Sequence, residues 1–262
     1  MKITTISIFP EMFEQIWGYG IVHRAISQQL VSVIAVNLRD FATGKHQSTD
    51  DRPYGGGCGM VMKPEPLAEA IRWAKEENKN VPCILMSPQG RPFNQKLAEE
   101  MARYPGMILV CGRYEGVDER ICQNYIEDEI SIGDYILTGG ELAAMVVVEA
   151  VIRLIPGALG GEDSAKKDSF GNQLLEHAHF TRPRNFEGEM VPEVLLSGNH
   201  RQIEAWRQES TLIRTFLKRR DMLAKRHFSA SEYGILKKWR QEIDEIIQTQ
   251  SVSGIDSLSG IE

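Results

Sequence analysis

Short apolar runs alternate with helix-patterned segments over the first 160 residues. Residues 3–9, 31–36, 83–86 and 107–111 are apolar, bounded by turn formers and too short for buried helices, so they read as strands. Residues 10–17, 64–77, 95–104 and 141–154 carry helical spacing. Strand–helix alternation of this kind predicts an α/β fold, a parallel sheet with helices on its faces. Ligands of such sheets bind beyond the carboxyl ends of the strands. The loops at those ends therefore carry the functional question.

Three glycine-bearing loops stand out: "SPQGRPF" (87–93), "GRYEGVDER" (112–120) and "SIGDYILTGGE" (131–141). Glycine lets a ligand approach the backbone closely. Their charge narrows the ligand. Residues 121–152 contain no Lys or Arg but hold Glu127, Asp128, Glu129, Asp134, Glu141 and Glu149. A triphosphate needs cations or an open helix N-terminus. G-x-x-x-x-G-K-[ST] is absent, as is a G-x-G-x-x-G after a strand. ATP, GTP and NAD(P) are poor fits, which weakens a nucleotide hydrolase. A cationic nucleoside without phosphate, such as S-adenosylmethionine, fits better. Backbone amides and carbonyls can hold its adenine.

No apolar stretch reaches the ~20 residues of a membrane span; the longest, 142–155, is broken by Glu149 and Arg153. The amino-terminal stretch lacks a signal peptide's apolar core. Cys58, Cys83, Cys111 and Cys122 form no C-x-x-C pair and suggest no disulfide framework. These features lead us to expect a cytoplasmic protein that neither enters a membrane nor carries a structural zinc.

The net charge is −6, yet residues 201–240 hold eleven Lys/Arg against four Asp/Glu. That segment is +7, which leaves −13 for the rest of the chain. Such asymmetry fits either a polyanion-binding surface or a solvated helix pair. Residues 157–173 are small, polar and glycine-rich, as in a linker. Helical spacing returns near Ile203. Ile203, Trp206, Ser210, Ile213 and Leu217 are expected to share one face, and Ile235, Trp239, Ile243 and Ile246 another. His177 and His179 could ligate a metal but have no third partner in the sequence.

The ordered set "RPYGGGCGM" (52–60), "SPQG" (87–90), "LVCGRYEGVDER" (109–120), "SIGDYILTGGELAAM" (131–145), "DSF" (168–170), "FTRP" (180–183) and "LLSGNH" (195–200) resembles the bacterial tRNA (guanine-N1)-methyltransferases, of the SPOUT class. The likeness runs from residue 1 to about 248. It implies a SPOUT fold with a deep trefoil knot around the cofactor, a small mainly helical C-terminal domain, and a homodimer. The implied organisation is a methyltransferase domain (1–160), a linker bearing the catalytic aspartate (161–175), a tRNA-binding domain (176–248) and a disordered tail (249–262).

The implied reaction carries a methyl from S-adenosylmethionine to N1 of guanine 37, beside the anticodon. A base must take the N1 proton, and charge spreading to O6 must be stabilised. The resemblance gives these roles to Asp168 and Arg153. Asp163 repeats the Asp-Ser pair five residues earlier, and Glu149 is an alternative partner for Arg153. The expected cofactor contacts are Ser87, Pro88, Gly112, Tyr114, Glu115, the run Ile132, Gly133, Asp134, Tyr135, Ile136, Leu137, and Gly139 and Gly140. Glu115 and Asp134 would attract the sulfonium or ammonium. The expected tRNA contacts are Arg182, Arg184, Asn199, His200, Arg214, Lys218 and Arg219. The family reaction is thought to use Mg²⁺, for which no ligand set is visible. Phe180, Ala178 and Cys58 depart from the family pattern. Two other activities stay open: ribose 2'-O methylation by a related enzyme, and RNA binding without catalysis.

Overall fold

The structure is a computed structural model that describes residues 1–160, 168–224 and 226–249. The chain divides into two compact units, Met1–Ala165 and Lys166–Glu262. The interval 161–167, with Asp163, and the tail from 250 lie outside the described residues. Among the described residues no helix is long and apolar enough to cross a membrane.

The first unit is built on five parallel strands: β1 (Lys2–Ser7), β2 (Ser32–Asn37), β3 (Cys83–Pro92), β4 (Gly106–Cys111) and β5 (Asp128–Ser131). Their order is β2-β1-β4-β3-β5. The helices are α1 (Gly20–Ser27), α2 (Pro64–Glu77), α3 (Gln95–Met101), α4 (Glu119–Tyr125) and α5 (Glu141–Ile152). Every residue of β4 is buried. Met107, Leu109 and Cys111 join one core with α1, α3 and α5. Ile108 and Val110 join the other with α2 and α4. This period-two split is what a strand buried on both faces requires.

The helix α2 shows how sequence sets the local structure. Pro64 occupies its first turn, where the missing N–H costs no bond. Leu67, Ala70, Ile71 and Ala74 are buried at helical spacing. Asn78 leaves helical geometry and its side chain donates to the carbonyl of Lys2 at 3.0 Å.

Some expectations need correction. The segment 10–17 is a 3₁₀ turn, Pro10–Phe13, followed by one helical turn, Glu14–Trp17. Helix α5 stops at Ile152, with Arg153 as its C-cap and Pro156 beyond. The strand starting at Cys83 does not end at Met86. Met86 and Arg91 both pair with Ile130, so residues 87–90 leave the sheet and return to the same rung. Helices α1 and α4 and strand β5 had no counterpart among the expected elements.

The second unit contains helix α6 (His200–Lys218) and helix α7 (Ala230–Thr249). Between them lies the short turn of helix Arg220–Leu223. The buried face of α6 is Ser210, Leu212 and Thr215, while Ile213 and Leu217 are exposed. Of the expected face, Ser210 is buried and Ile203 and Trp206 are half-buried, but Ile213 and Leu217 give way to Leu212 and Thr215. Hydrogen bonding explains the choice. The Ser210 hydroxyl accepts from the N–H of Ala178 at 3.0 Å, and the Thr215 hydroxyl from that of Leu175 at 3.0 Å. These bonds hold residues 174–178, and Leu174 is buried. Residues 168–175, expected as linker, thus fold as a turn of the second unit.

Candidate functional site

The loop after β4 meets the loop after β5 at the carboxyl end of the sheet. The N–H of Gly140 donates to the carbonyl of Gly112 at 2.8 Å, and Arg113 bridges to Gly139. A Cβ on Gly140 would fall 2.9 Å from the Cα of Cys111 and 3.1 Å from the nitrogen of Gly112. Only glycine allows this approach. On the far side the N–H of Glu115 donates to Met60, and that of Met62 to Gly116, each at 2.9 Å. Tyr114 and Gly116 take positive φ, 61° and 135°, to make the reversal.

Together with residues 87–89 these loops enclose a cavity of about 380 Å³. This is within the usual range for a small-molecule site, roughly 300–1,000 Å³. Ser87 and Pro88 line one side, Gly112, Tyr114 and Glu115 another, and Ile132, Gly133, Tyr135, Ile136, Leu137, Gly139 and Gly140 the third. Of the residues expected at the cofactor, only Asp134 does not line it. The N–H of Tyr135 bonds the carbonyl of Gly133 at 2.9 Å, which makes Asp134 the exposed apex of a three-residue turn. Ile136 is 81% exposed, an apolar wall without a cover.

The cavity's charge arises differently from the expectation. Glu141, the first residue of α5, is 1% exposed. Its carboxylate accepts from the Ser7 hydroxyl at 2.6 Å and from Arg113 Nε at 3.0 and 3.1 Å. The Arg113 guanidinium also lies 4.4 Å from the Phe9 ring centroid. Glu141 and Arg113 therefore neutralise each other beneath the loop. Glu115, Glu119 and Glu129 bring the negative charge to the cavity wall. The α5 N-terminus, otherwise attractive to phosphate, already has an acid in its first turn. Arg113, Gln89, Glu119 and Glu129 were missed as lining residues. The arginine sits inside "GRYEG", so its place was visible although its role was not.

Cys122 also lines the cavity. Burial, helped by Glu129 and Glu119, pushes its thiol up to about 11. Burial raises Cys83 to about 12 and Cys111 well above the ordinary value. Cys58 is exposed. Thiolate is the nucleophilic form, so iodoacetamide at pH 8 is expected to label Cys58 first in the native protein. Peptide mapping by mass spectrometry reads this directly, and Cys122 labelled as fast as Cys58 would contradict it.

The remaining expected residues are on other elements. Arg153 is half-buried at the end of α5. Asp168 opens the turn of the second unit, where its carbonyl accepts from Gly171 at 3.2 Å. Arg182 and His200 are exposed. The Asn199 side chain caps α6 by accepting from the N–H of Gln202 at 3.2 Å. Arg184 pairs with Glu193 at 2.7 Å, and Arg219 with Asp221 at 2.8 Å. Arg214 is half-buried and Lys218 exposed. Basic residues of the 201–240 segment are thus partly engaged within their own unit.

Comparison with known proteins adds an independent observation. The family model described as tRNA (Guanine-1)-methyltransferase TrmD matches residues 1–225. A protein named tRNA (guanine-N(1)-)-methyltransferase from Desulfatibacillum aliphaticivorans is 55% identical over 259 residues, covering 99% of both chains. One of the same name from Staphylococcus carnosus is 49% identical over 243 residues, 93% of this chain and 99% of the relative. A third, from Dehalococcoides mccartyi, is 50% identical over 252 residues, 96% of this chain and 99% of the relative.

Proposed function

Since the chain belongs to the tRNA (guanine-1)-methyltransferase family, we propose that its loop cavity holds S-adenosylmethionine and receives guanine 37 of tRNA. The enzyme methylates N1 of guanine in tRNA. The observation that carries the cofactor reading is the cavity itself. It sits at the carboxyl ends of parallel strands, gives glycine backbone on one wall, and bears carboxylates where a phosphate would need cations. S-adenosylmethionine supplies an electrophilic methyl on a sulfonium. Glu115, Glu119 and Glu129 suit its positive charge, and Ile136 and Leu137 provide apolar cover for the adenine.

In this proposal the guanine leaves its stack to reach the cavity. Asp168 takes the N1 proton. Arg153 balances the charge that develops on O6. Arg182, Arg184, Asn199, His200, Arg214, Lys218 and Arg219 hold the anticodon stem-loop, with the arginines and lysine on phosphate. Among the described residues no three His, Cys, Asp or Glu ligand atoms gather in the cavity, so no step is routed through Mg²⁺.

The proposal includes the trefoil knot and the homodimer. Support for the knot is the backbone contact of Gly140 on Cys111, and of Gly90, where a Cβ would fall 2.4 Å from the backbone of Glu129. Both contacts bring chain segments together at the carboxyl end of the sheet, where a knot around the cofactor would lie. Support for a second copy is the outward face of α5, where Leu142 and Val146 stand half exposed beside the exposed Glu149.

The test is methyl transfer to tRNA transcripts varied at positions 36 and 37, with nucleosides identified by mass. 1-Methylguanosine that requires guanine 37 is expected. A 2'-O-methyl product, or transfer indifferent to position 37, would sink the reading. Neutralising Arg214, Lys218 and Arg219 together should weaken tRNA binding and lower the salt slope by about 2–3. An unchanged slope would place the RNA surface elsewhere.

A further inference from the structure

We propose that Glu176, His177 and His179 form a binding site for a divalent transition-metal ion of the zinc type. Glu176, missed as a third partner, directly precedes His177 in the sequence, and its carboxylate turns to His179. One ligand atom from each residue lies within 4.8 Å of those of the other two.

Three details make this more than proximity. His179 Nε2 lies 2.9 Å from Glu176 Oε1. Atoms bound at about 2.0–2.2 Å to one ion stand roughly 3.0–3.5 Å apart, so this pair would open only by a few tenths of an ångström to share one. His177 Nδ1 lies 3.0 Å from the carbonyl oxygen of Ala178. A carbonyl only accepts, so Nδ1 is the donor and Nε2 is the nitrogen left to face a metal. Such an outer partner fixes the tautomer and orientation of a metal-binding imidazole.

The backbone is also held in place. The N–H of Glu176 donates to the Ser169 hydroxyl at 3.0 Å, and that of Ala178 to the Ser210 hydroxyl at 3.0 Å. The His177 ring packs edge-on to Trp206 with centroids 6.4 Å apart, and 4.5 Å from that of His179. These hydrogen bonds hold the backbone that carries the three side chains.

Two imidazole nitrogens and one carboxylate oxygen select zinc, cobalt or nickel over magnesium and calcium, which take oxygen ligands. Water fills the remaining positions. The ion takes the place of the direct His179–Glu176 contact, so binding competes with it. Bound metal would fix the segment that leads into Arg182 and Arg184.

The experiment uses the full, untagged chain stripped with a chelator. Zn²⁺ is titrated by calorimetry, and Co²⁺ by its visible absorption. One ion per chain is expected, with micromolar affinity and the absorption of a nitrogen–oxygen site. His177→Phe, which keeps a ring against Trp206, and His179→Gln should each weaken binding at least about tenfold. Glu176→Gln serves as a second check should either prove unstable. Circular dichroism in chelator should match for all chains. Absence of saturable Zn²⁺ binding, or equal affinity in the variants, overturns the site.

Discussion

Asp168→Ala is expected to lower kcat by about 10³-fold, in the range that a positioned general base contributes. The affinity for S-adenosylmethionine should stay within a factor of about two, because the cavity is lined entirely by residues of the first unit. Circular dichroism of the variant checks the local fold. Residues 168–176 are held by bonds that do not use the Asp168 side chain: Phe170 N–H to Leu174 O at 2.8 Å, Gln173 N–H to Phe170 O at 3.0 Å, and Glu176 N–H to Ser169 Oγ at 3.0 Å. A loss of rate with unchanged circular dichroism would report chemistry. Single-turnover methyl transfer with saturating tRNA, beside cofactor calorimetry, separates the two quantities. A variant that keeps a tenth of its activity would remove Asp168 from the role of base.

The second large effect is structural. Glu141→Ala is expected to cost about 3–5 kcal/mol of folding stability, the range for breaking a buried ion pair by removing one partner. The substitution strands the Arg113 guanidinium, whose side chain is 17% exposed, and leaves the Ser7 hydroxyl without its acceptor. Glu141→Gln should cost less, since it still accepts from Ser7. Cofactor binding should fall along with stability, because Gly139 lies against this pair: a Cβ there would meet Glu141 Oε2 at 2.5 Å and Arg113 Nε at 2.6 Å. Urea unfolding measures the first effect. A loss under 1 kcal/mol would mean that water reaches Arg113 and the pair holds nothing together.

The parts legible in the sequence are those governed by local periodicity. The helix α2 matches its expected bounds because Pro64 marks its start and four apolar residues share one face. The central strand β4 is an unbroken apolar run, which parallel burial demands. Strand β5 was missed for the opposite reason. It is an edge strand, Asp128–Ser131, bonded on one side, and its first two residues are acids. Edge strands need no apolar run. Helices α1 and α4 are short and bury only Val22 and Ala25, and Ile121, respectively, so apolar spacing marks neither, whereas α3 buries Leu97, Ala98 and Met101. In α6 the burial of Thr215, while Ile213 and Leu217 stay exposed, follows from the backbone donor of Leu175, a tertiary fact that apolar spacing does not contain.

The site shows the same division. The three loops were visible as glycine clusters, and most of their expected residues line the cavity. The exception, Asp134, depends on a turn at Gly133 that changes which side chains face inward. Glu141 was counted as one acid among six. Its pairing with Arg113 shifts the cavity's charge to Glu115, Glu119 and Glu129, which come from β5 and from the loop and helix after β4. No linear window includes all of them.

The return of β3 to a single rung of its neighbour has a consequence for how such a site can diversify. Residues 87–90 begin and end on Ile130, so the sheet's register is independent of the length of the excursion. A residue gained or lost there would change the depth of the cavity while every strand kept its pairing. The core and the pocket floor can thus vary separately, and ligand size becomes a property that insertion can tune without refolding the protein.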